Sequence, residues 1–256
     1  MGPAQGIQEG GGAVGHAGAG QLLAHVQEVF DLGAGDGVDH LGSVALHMLF
    51  QQLQHDLKNQ ARRFIVTANP EIVLYARRHP QYAQIIKQAD YVTADGTGIV
   101  IGSKMLKHPL PERVTGFDTM NKLLQLANDQ HKKVYFLGAK PEVLKTALAS
   151  IKKNYPNLVI VGAHDGYFKT AQPIRKSIQQ AKAENVFVDL RFPKQVTFIY
   201  QTYQTTREIW MGVGGNFDVL AGKVKRAHIF WPQQQNEWRY RLLQEPSRLP
   251  RMLALP

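Results

Sequence analysis

From residue 64 onward, six short apolar runs recur along the chain. They are FIVTA (64–68), YVTA (91–94), KVYFLGA (133–139), NLVIVGA (157–163), NVFVDL (185–190) and IWMGVGG (209–215). Each is rich in β-branched or aromatic residues, with a Gly, Asn or Asp at or next to its end, the mark of a buried strand. The segments between them repeat with a helical period. PEVLKTALASIKK places apolar residues at 143, 144, 147, 148 and 151, with Pro141 in the first turn. FDTMNKLLQLANDQ forms a second such stripe, with Asp118 expected as its N-cap. Upstream, SVALHMLFQQLQHDLKNQ (43–60) reads as one amphipathic helix. Strands alternating with helices predict an α/β fold, a mostly parallel, Rossmann-like sheet with helices on both faces.

Both ends depart from this rhythm. The first 42 residues hold 12 of the 23 glycines, a composition that buries little and costs much backbone entropy. Residues 1–42 are expected not to fold with the rest, or to come from a misassigned start. Residues 43–222 form the expected α/β domain. Residues 223–256 mix Arg, Lys and aromatics with Leu and are expected to make a short basic, aromatic helical appendage, interrupted at Pro246 and Pro250. No apolar run approaches the roughly 18 residues that span a bilayer, and no secretory signal is expected at the start.

Charge narrows the functional classes. The formal net charge is +10, yet residues 1–57 contain no Lys or Arg. The basic excess therefore lies wholly in the α/β body and its tail. Such a body attracts phosphate, diphosphate, nucleic acid or an anionic membrane surface, or is simply a solvated basic face. Cysteine is absent, which excludes disulfides and thiolate chemistry.

In an open α/β sheet, ligands bind beyond the carboxyl ends of the strands. The residues expected there are Thr67 and Asn69, then Thr93, Asp95 and Gly96, then Gly138, Asp165 and Gly166, then Lys194 and Gln195, then Gly214, Gly215 and Asn216. Asp95 is the one carboxylate in this ring between Thr/Ala and Gly at a strand-to-helix turn. It reads equally as a general base or as an N-cap for the helix beginning near Thr97. Asp165 and Asp118 read as turn and cap. No Asp-x-Asp pair, His-Glu-x-x-His motif, nucleophile elbow or Walker loop is present, so acid–base action with cationic charge stabilisation is the expected chemistry. VFDLGAGDG (29–37) looks like a loop that binds S-adenosylmethionine, but no clean second strand follows it, so a chance match is favoured over a methyltransferase. A nucleic-acid binder would need aromatic and basic residues interleaved on a sheet face, and here the aromatics fall mostly in the strands and tail.

The segment FIVTANPEIVLYARRHPQYAQIIKQADYVTADGTGIVIGSKML resembles the WecG/TagA/CpsF glycosyltransferase family. The likeness runs on through PERVTGFD, KVYFLGAKPEV, NLVIVGAHDGYF, FPKQ, GVGGNFDVLAGKVKRA and EWRYRLLQEPSRLPRMLALP, covering roughly residues 60–256. It implies an inverting, metal-independent and cofactor-free transfer of N-acetylmannosamine from UDP-N-acetylmannosamine. The implied acceptor is N-acetylglucosamine on undecaprenyl diphosphate, in teichoic acid or related cell-surface polysaccharide synthesis. By this resemblance Asp95 is the catalytic base, Thr67 and Asn69 line the pocket, and Gln195 is the polar residue of the FPKQ block. Arg241, Arg248 and Arg251 would close over the site and neutralise a diphosphate. The family works at the cytoplasmic face of the bacterial membrane, so peripheral attachment is implied, with the tail's aromatics and Leu residues at the interface. No nucleic-acid partner is implied, and a homo-oligomer stays open. The chain departs from the family's usual pattern in its first strand, at Arg191, where Gly is usual, and at Val196, where Glu is usual. An inactive descendant that binds UDP-sugar or lipid without turnover is the alternative.

Overall fold

A computed structural model describes residues 41–105, 110 and 113–224. The tail arginines Arg241, Arg248 and Arg251, and residues 1–40 of the segment 1–42 expected not to fold, lie outside the described residues, whereas Leu41 and Gly42 open the first described helix.

The chain enters through α1 (Leu41–Lys58), then β1 (Arg63–Ala68), α2 (Pro70–Arg78), α3 (Pro80–Lys87), β2 (Tyr91–Ala94) and α4 (Thr97–Met105). There follow α5 (Gly116–Asp129), β3 (Lys133–Gly138), α6 (Pro141–Asn154), β4 (Val159–His164) and α7 (Ala171–Ala181). The described part ends with β5 (Asn185–Asp189), α8 (Lys194–Tyr203), β6 (Ile209–Gly212) and α9 (Asn216–Leu220). All six expected strands are present, and their pairings are all parallel, in the order β2-β1-β6-β5-β3-β4. The chain goes outward from β1 to β2, crosses to β3 and β4, and returns through β5 to β6. The seam between its two halves is therefore the β1–β6 pair.

Strand alternation splits the core in two. Phe64, Val66, Tyr135, Val186, Val188 and Trp210 face one side, where α2, α3, α7 and α8 pack with Ile72, Ile86, Ile178 and Ile199. Ile65, Val134, Phe136, Phe187 and Met211 face the other, against Leu53 and Leu57 of α1, Leu123 of α5, Val143 and Ile151 of α6 and Phe217 of α9. Both faces of the central strands are thus dry, which is why they read as continuous apolar runs rather than as alternation. Ion pairing at the start of β1 fastens α1 to the sheet. Arg63 donates to both carboxylate oxygens of the buried Asp56, at 2.8 and 2.9 Å, and the Tyr91 hydroxyl donates to the same group.

Helix caps refine the sequence expectations. Asp118 is not the N-cap of α5. That position is Thr115, whose Oγ1 accepts from the Asp118 N–H at 3.0 Å and donates to Asp118 Oδ2 at 2.6 Å. The helix starts earlier than its apolar stripe because Gly116 and Phe117 extend it toward the site. Asp165 makes the expected turn, its Oδ1 accepting from the Tyr167 N–H at 2.7 Å. Among the described residues, no helix is long and apolar enough to cross a membrane.

Candidate active site

The carboxyl ends of β2, β1, β6 and β5 are neighbours in the sheet, and four of the expected site residues sit on or just after them. Thr67 lies one residue before the end of β1, in register with Thr93 of β2. Its Oγ1 donates across the seam to the carbonyl of Gly212, the last residue of β6, at 3.3 Å. Asp95 follows β2 directly. Its own N–H donates to the Ala68 carbonyl at 2.8 Å, which extends the β1–β2 pairing and fixes the backbone at this turn.

The Asp95 side chain is half-buried and turns toward a different element. Its Oδ2 accepts from the N–H of Gly116, the first residue of α5, at 3.2 Å. A helix N-terminus carries unpaired N–H groups and partial positive charge, so it favours a carboxylate there. Glycine at 116 is a packing requirement. A Cβ at this position would lie 3.1 Å from Thr67 Cγ2 and 3.2 Å from both Thr67 Oγ1 and Asp95 Oδ2. Thr67, Asp95 and Gly116 therefore meet at one point, at the seam-side end of the sheet.

Asn69 and Gln195 are placed by the same frame. Asn69 is the N-cap of α2, its Oδ1 accepting from the Ile72 N–H at 2.9 Å. Pro70 at the first helical position reinforces this start. Gln195 lies in the first turn of α8 and is buried. Its Oε1 accepts from the Gly214 N–H at 3.2 Å, and its side chain packs flat on Gly212, where a Cβ would lie 2.9 Å from Nε2. Gln195 thus ties α8 to the turn between β6 and α9. Thr67 and Gln195 both meet Gly212 at the end of β6, Asp95 and Thr67 meet at Gly116, and Asn69 heads α2 directly after β1.

Residues that sequence reasoning missed are Gly116, which brings a helix N-terminus to Asp95, Gly212, which lets Gln195 lie against β6, and Asp189 at the end of β5. Asp189 is buried, and burial, with the Asp218 carboxylate adding to it, pushes its pKa up to about 7. The Thr115-x-x-Asp118 spacing was a readable sign for the start of α5, and hence for Gly116. Nothing in the sequence marked Asp189, which reads as the polar end of an apolar strand. A cavity of about 530 Å³ opens at the amino ends of β3, β5 and β6, on the opposite side of the sheet, lined by Asp56, Lys133, Glu184, Arg207 and Glu208. It includes none of the expected site residues.

The sequence model of the glycosyl transferase WecG/TagA/CpsF family matches residues 37–256. The chain belongs to this family. It is a glycosyltransferase. A relative from Staphylococcus aureus strain MW2 is 39% identical over 225 residues, covering 86% of this chain and 87% of its own. A relative from Bacillus spizizenii is 39% identical over 194 residues, covering 75% and 76%. Both are named N-acetylglucosaminyldiphosphoundecaprenol N-acetyl-beta-D-mannosaminyltransferase.

Proposed function

We propose that this glycosyltransferase moves N-acetylmannosamine from UDP-N-acetylmannosamine to N-acetylglucosamine on undecaprenyl diphosphate, with inversion and without a metal ion. The observation that carries the reading is Asp95, held at the seam by the Gly116 N–H in a chain whose relatives bear that acceptor and that sugar in their names. The acceptor hydroxyl oxygen forms the new bond to the anomeric carbon. The bond to the UDP oxygen breaks, and UDP leaves with the electron pair. The hydroxyl proton goes to the Asp95 carboxylate. Thr67, Asn69 and Gln195 shape the pocket around the reacting sugars. Arg241, Arg248 and Arg251 take the diphosphate charge, for which guanidinium geometry is suited. The acceptor is a lipid, so the enzyme works at a membrane surface. The basic, aromatic tail is the segment proposed to rest on anionic headgroups, at the cytoplasmic face.

The test is UDP release from UDP-N-acetylmannosamine with a short-chain lipid-diphosphate N-acetylglucosamine, with EDTA present, beside Asp95→Asn. Release that needs both substrates, survives EDTA and falls by about 10²–10⁴ in the variant is the expected result. Full activity in the variant would remove Asp95 from the chemistry, and loss of activity in EDTA would overturn the metal-free step. A second reading, a descendant that binds without turnover, draws on Arg191. It occupies a left-handed backbone conformation at φ 59°, three residues before the α8 start. That reading predicts UDP-sugar binding with no UDP release.

A further inference from the structure

Gln195 is not alone in fastening the turn between β6 and α9. Asp189, the last residue of β5, is only 4% exposed and lies on the other side of that turn. Its backbone is fixed from both flanks. The Ala139 N–H donates to its carbonyl at 3.0 Å, and the Val213 N–H donates to the preceding Val188 carbonyl at 2.8 Å. The second bond extends the β5–β6 pairing one residue beyond β6 and brings the turn at 214–216 up to Asp189. There the backbone N–H of Phe217 reaches its carboxyl group. Phe217 is itself fully buried, with its ring 5.9 Å from that of Phe136, so this end of α9 has little freedom. The remaining carboxyl oxygen, Oδ2, is buried without a hydrogen-bond partner among the described residues.

The groups around this carboxyl decide which form the turn accepts. Burial and the Asp218 carboxylate of α9 disfavour a negative charge there, while the Phe217 N–H and, less, Arg191 in the loop after β5 favour one, so burial and repulsion prevail. Facing it from β3 are Gly138 and Ala139, which carry no charge. From the core side come Phe187 and Phe217. The first turn of α6 brings Lys140 and Glu142 into the neighbourhood of α9, and Glu142 pairs with Lys223 at 3.8 Å. A carboxylate on Asp189 would thus stand in a nearly dry place, with one oxygen unserved and Asp218 beside it. A neutral acid avoids the buried charge and its repulsion by Asp218, although its O–H finds no acceptor among the described residues.

We propose that Asp189 is a positioning residue of the transfer site, whose neutral acid seats the β6–α9 turn beside Gln195 and whose ionisation unseats it. The consequence reaches the site through two bonds on one strand end. The Gly214 N–H holds Gln195, and the Gly212 carbonyl holds Thr67. Because burial and Asp218 push the Asp189 pKa up to about 7, the neutral acid's hold on the seat is full below the ordinary carboxyl range and is lost progressively as pH rises to about 7. The proposal rests on the reading of this crevice as the transfer site, but its structural half stands without it.

The experiment is hydrogen exchange of the peptide spanning residues 212–218, corrected for intrinsic rates, between about pH 6 and 8, in the full chain and in Asp189→Asn and Asp218→Asn. In the parent, protection should fall roughly threefold or more through neutrality, and in Asp189→Asn it should stay flat. In Asp218→Asn, which removes the repelling carboxylate, the midpoint should move to lower pH. This second variant carries the test if Asp189→Asn does not fold. Identical pH dependence in the parent and Asp189→Asn, or an unmoved midpoint in Asp218→Asn, overturns the proposal. The parallel kinetic readout is the KM for UDP-N-acetylmannosamine, which should rise above neutrality in the parent and not in Asp189→Asn. If exchange behaves as expected while no UDP is released, the transfer reading fails and the turn's switch stands. UDP release with pH-flat protection does the reverse.

Discussion

Replacing Arg191 by glycine should stabilise this protein, even though it deletes a charged side chain. Arg191 has φ 59°, and its carbonyl accepts from the Gln195 N–H at 3.0 Å, so the strained residue also sets where α8 begins. A residue with a Cβ pays about 1–2 kcal/mol in this left-handed region. Glycine removes that cost but gives back roughly 0.5–1 kcal/mol through the greater freedom of the unfolded chain. The exposed Arg191 side chain offers little packing to set against this. The net expectation is a gain of about 0.5–1 kcal/mol, or a rise of roughly 1–4 °C in Tm for a domain of this size. A second term makes the effect pH-dependent. The Arg191 charge favours ionised Asp189, so removing it lifts the already raised pKa of Asp189 further. A carboxyl raised in the folded state has its stabilising effect at low pH and loses it as pH rises through the folded value. Raising that value changes nothing below about 7 and deepens the loss above it, so the gain from Arg191→Gly is full at pH 6 and shrinks by pH 8.5. Urea titrations at the two pH values, read for midpoint at constant slope, measure both terms. A variant less stable than the parent at pH 6 would refute the argument, showing that Arg191 makes interactions worth more than its strain.

Further outcomes follow from packing. Gly212→Ala places a Cβ 2.9 Å from Gln195 Nε2, so Gln195 must shift and its hold on Gly214 loosen; a loss of about 1–3 kcal/mol, with a raised donor KM, is expected from melts and UDP-release kinetics. Asp56→Ala leaves Arg63 and the Tyr91 hydroxyl without their shared acceptor and should cost about 3–5 kcal/mol in urea titration. Burial works to raise the Asp56 pKa, but the bonds from Arg63 and Tyr91 and the Arg63 charge outweigh it and hold the carboxyl below its ordinary 3.8. Its contribution is therefore present above that value and is lost as pH falls through the lowered one, so the parent's lead over Asp56→Ala should narrow only in strong acid. Val196→Glu puts a carboxylate where a side chain only 1% exposed packs with Ile199 and Val188, and should cost about 4 kcal/mol or more, seen as a fall in the urea midpoint.

The strands were legible because both faces of the sheet are dry. A run such as NVFVDL needs no turn of luck to be read when every residue of β5 is buried. Helix stripes were equally plain, since Val143, Leu144, Ala147 and Ile151 all reach the core. Helix starts were harder. A capping carboxylate and the third residue of a capping box share the same residue types, and Asp118 proved to be the latter, with Thr115 as the cap. The ring of polar residues at the strand ends was visible from the order of strands and helices alone. The sheet order was not, because parallel pairing is decided by crossover packing between distant segments. For that reason the contact of Asp95 with Gly116, 21 residues on, and of Thr67 with Gly212, 145 residues on, had no local sign.

That long-range wiring changes what the expected pocket residues have to offer a ligand. Thr67 spends its hydroxyl proton on Gly212, Asn69 spends its Oδ1 on the α2 cap, and Gln195 spends its Oε1 on Gly214. What each has left follows from side-chain chemistry: lone pairs on Thr67, and the NH₂ donors of Asn69 and Gln195. Two amide donors and a carboxylate acceptor suit a ligand rich in oxygen with one hydroxyl to deprotonate, as a sugar diphosphate meeting an acceptor hydroxyl would be. The same accounting separates the three residues by experiment. Asn69→Asp and Gln195→Glu keep the oxygen that each uses internally and replace NH₂ donors by charge. If the donors face the diphosphate sugar, both variants should lose donor affinity by about tenfold or more, since a lost hydrogen bond to a charged group is worth about 1.5–3 kcal/mol; the half-buried Asn69→Asp should keep its melting behaviour, whereas Gln195→Glu, only 4% exposed, should also melt lower. If Asn69 and Gln195 only brace the frame, affinity should be unmoved, and the work of holding the donor would pass to Asp95, Thr67 and the arginines of the tail.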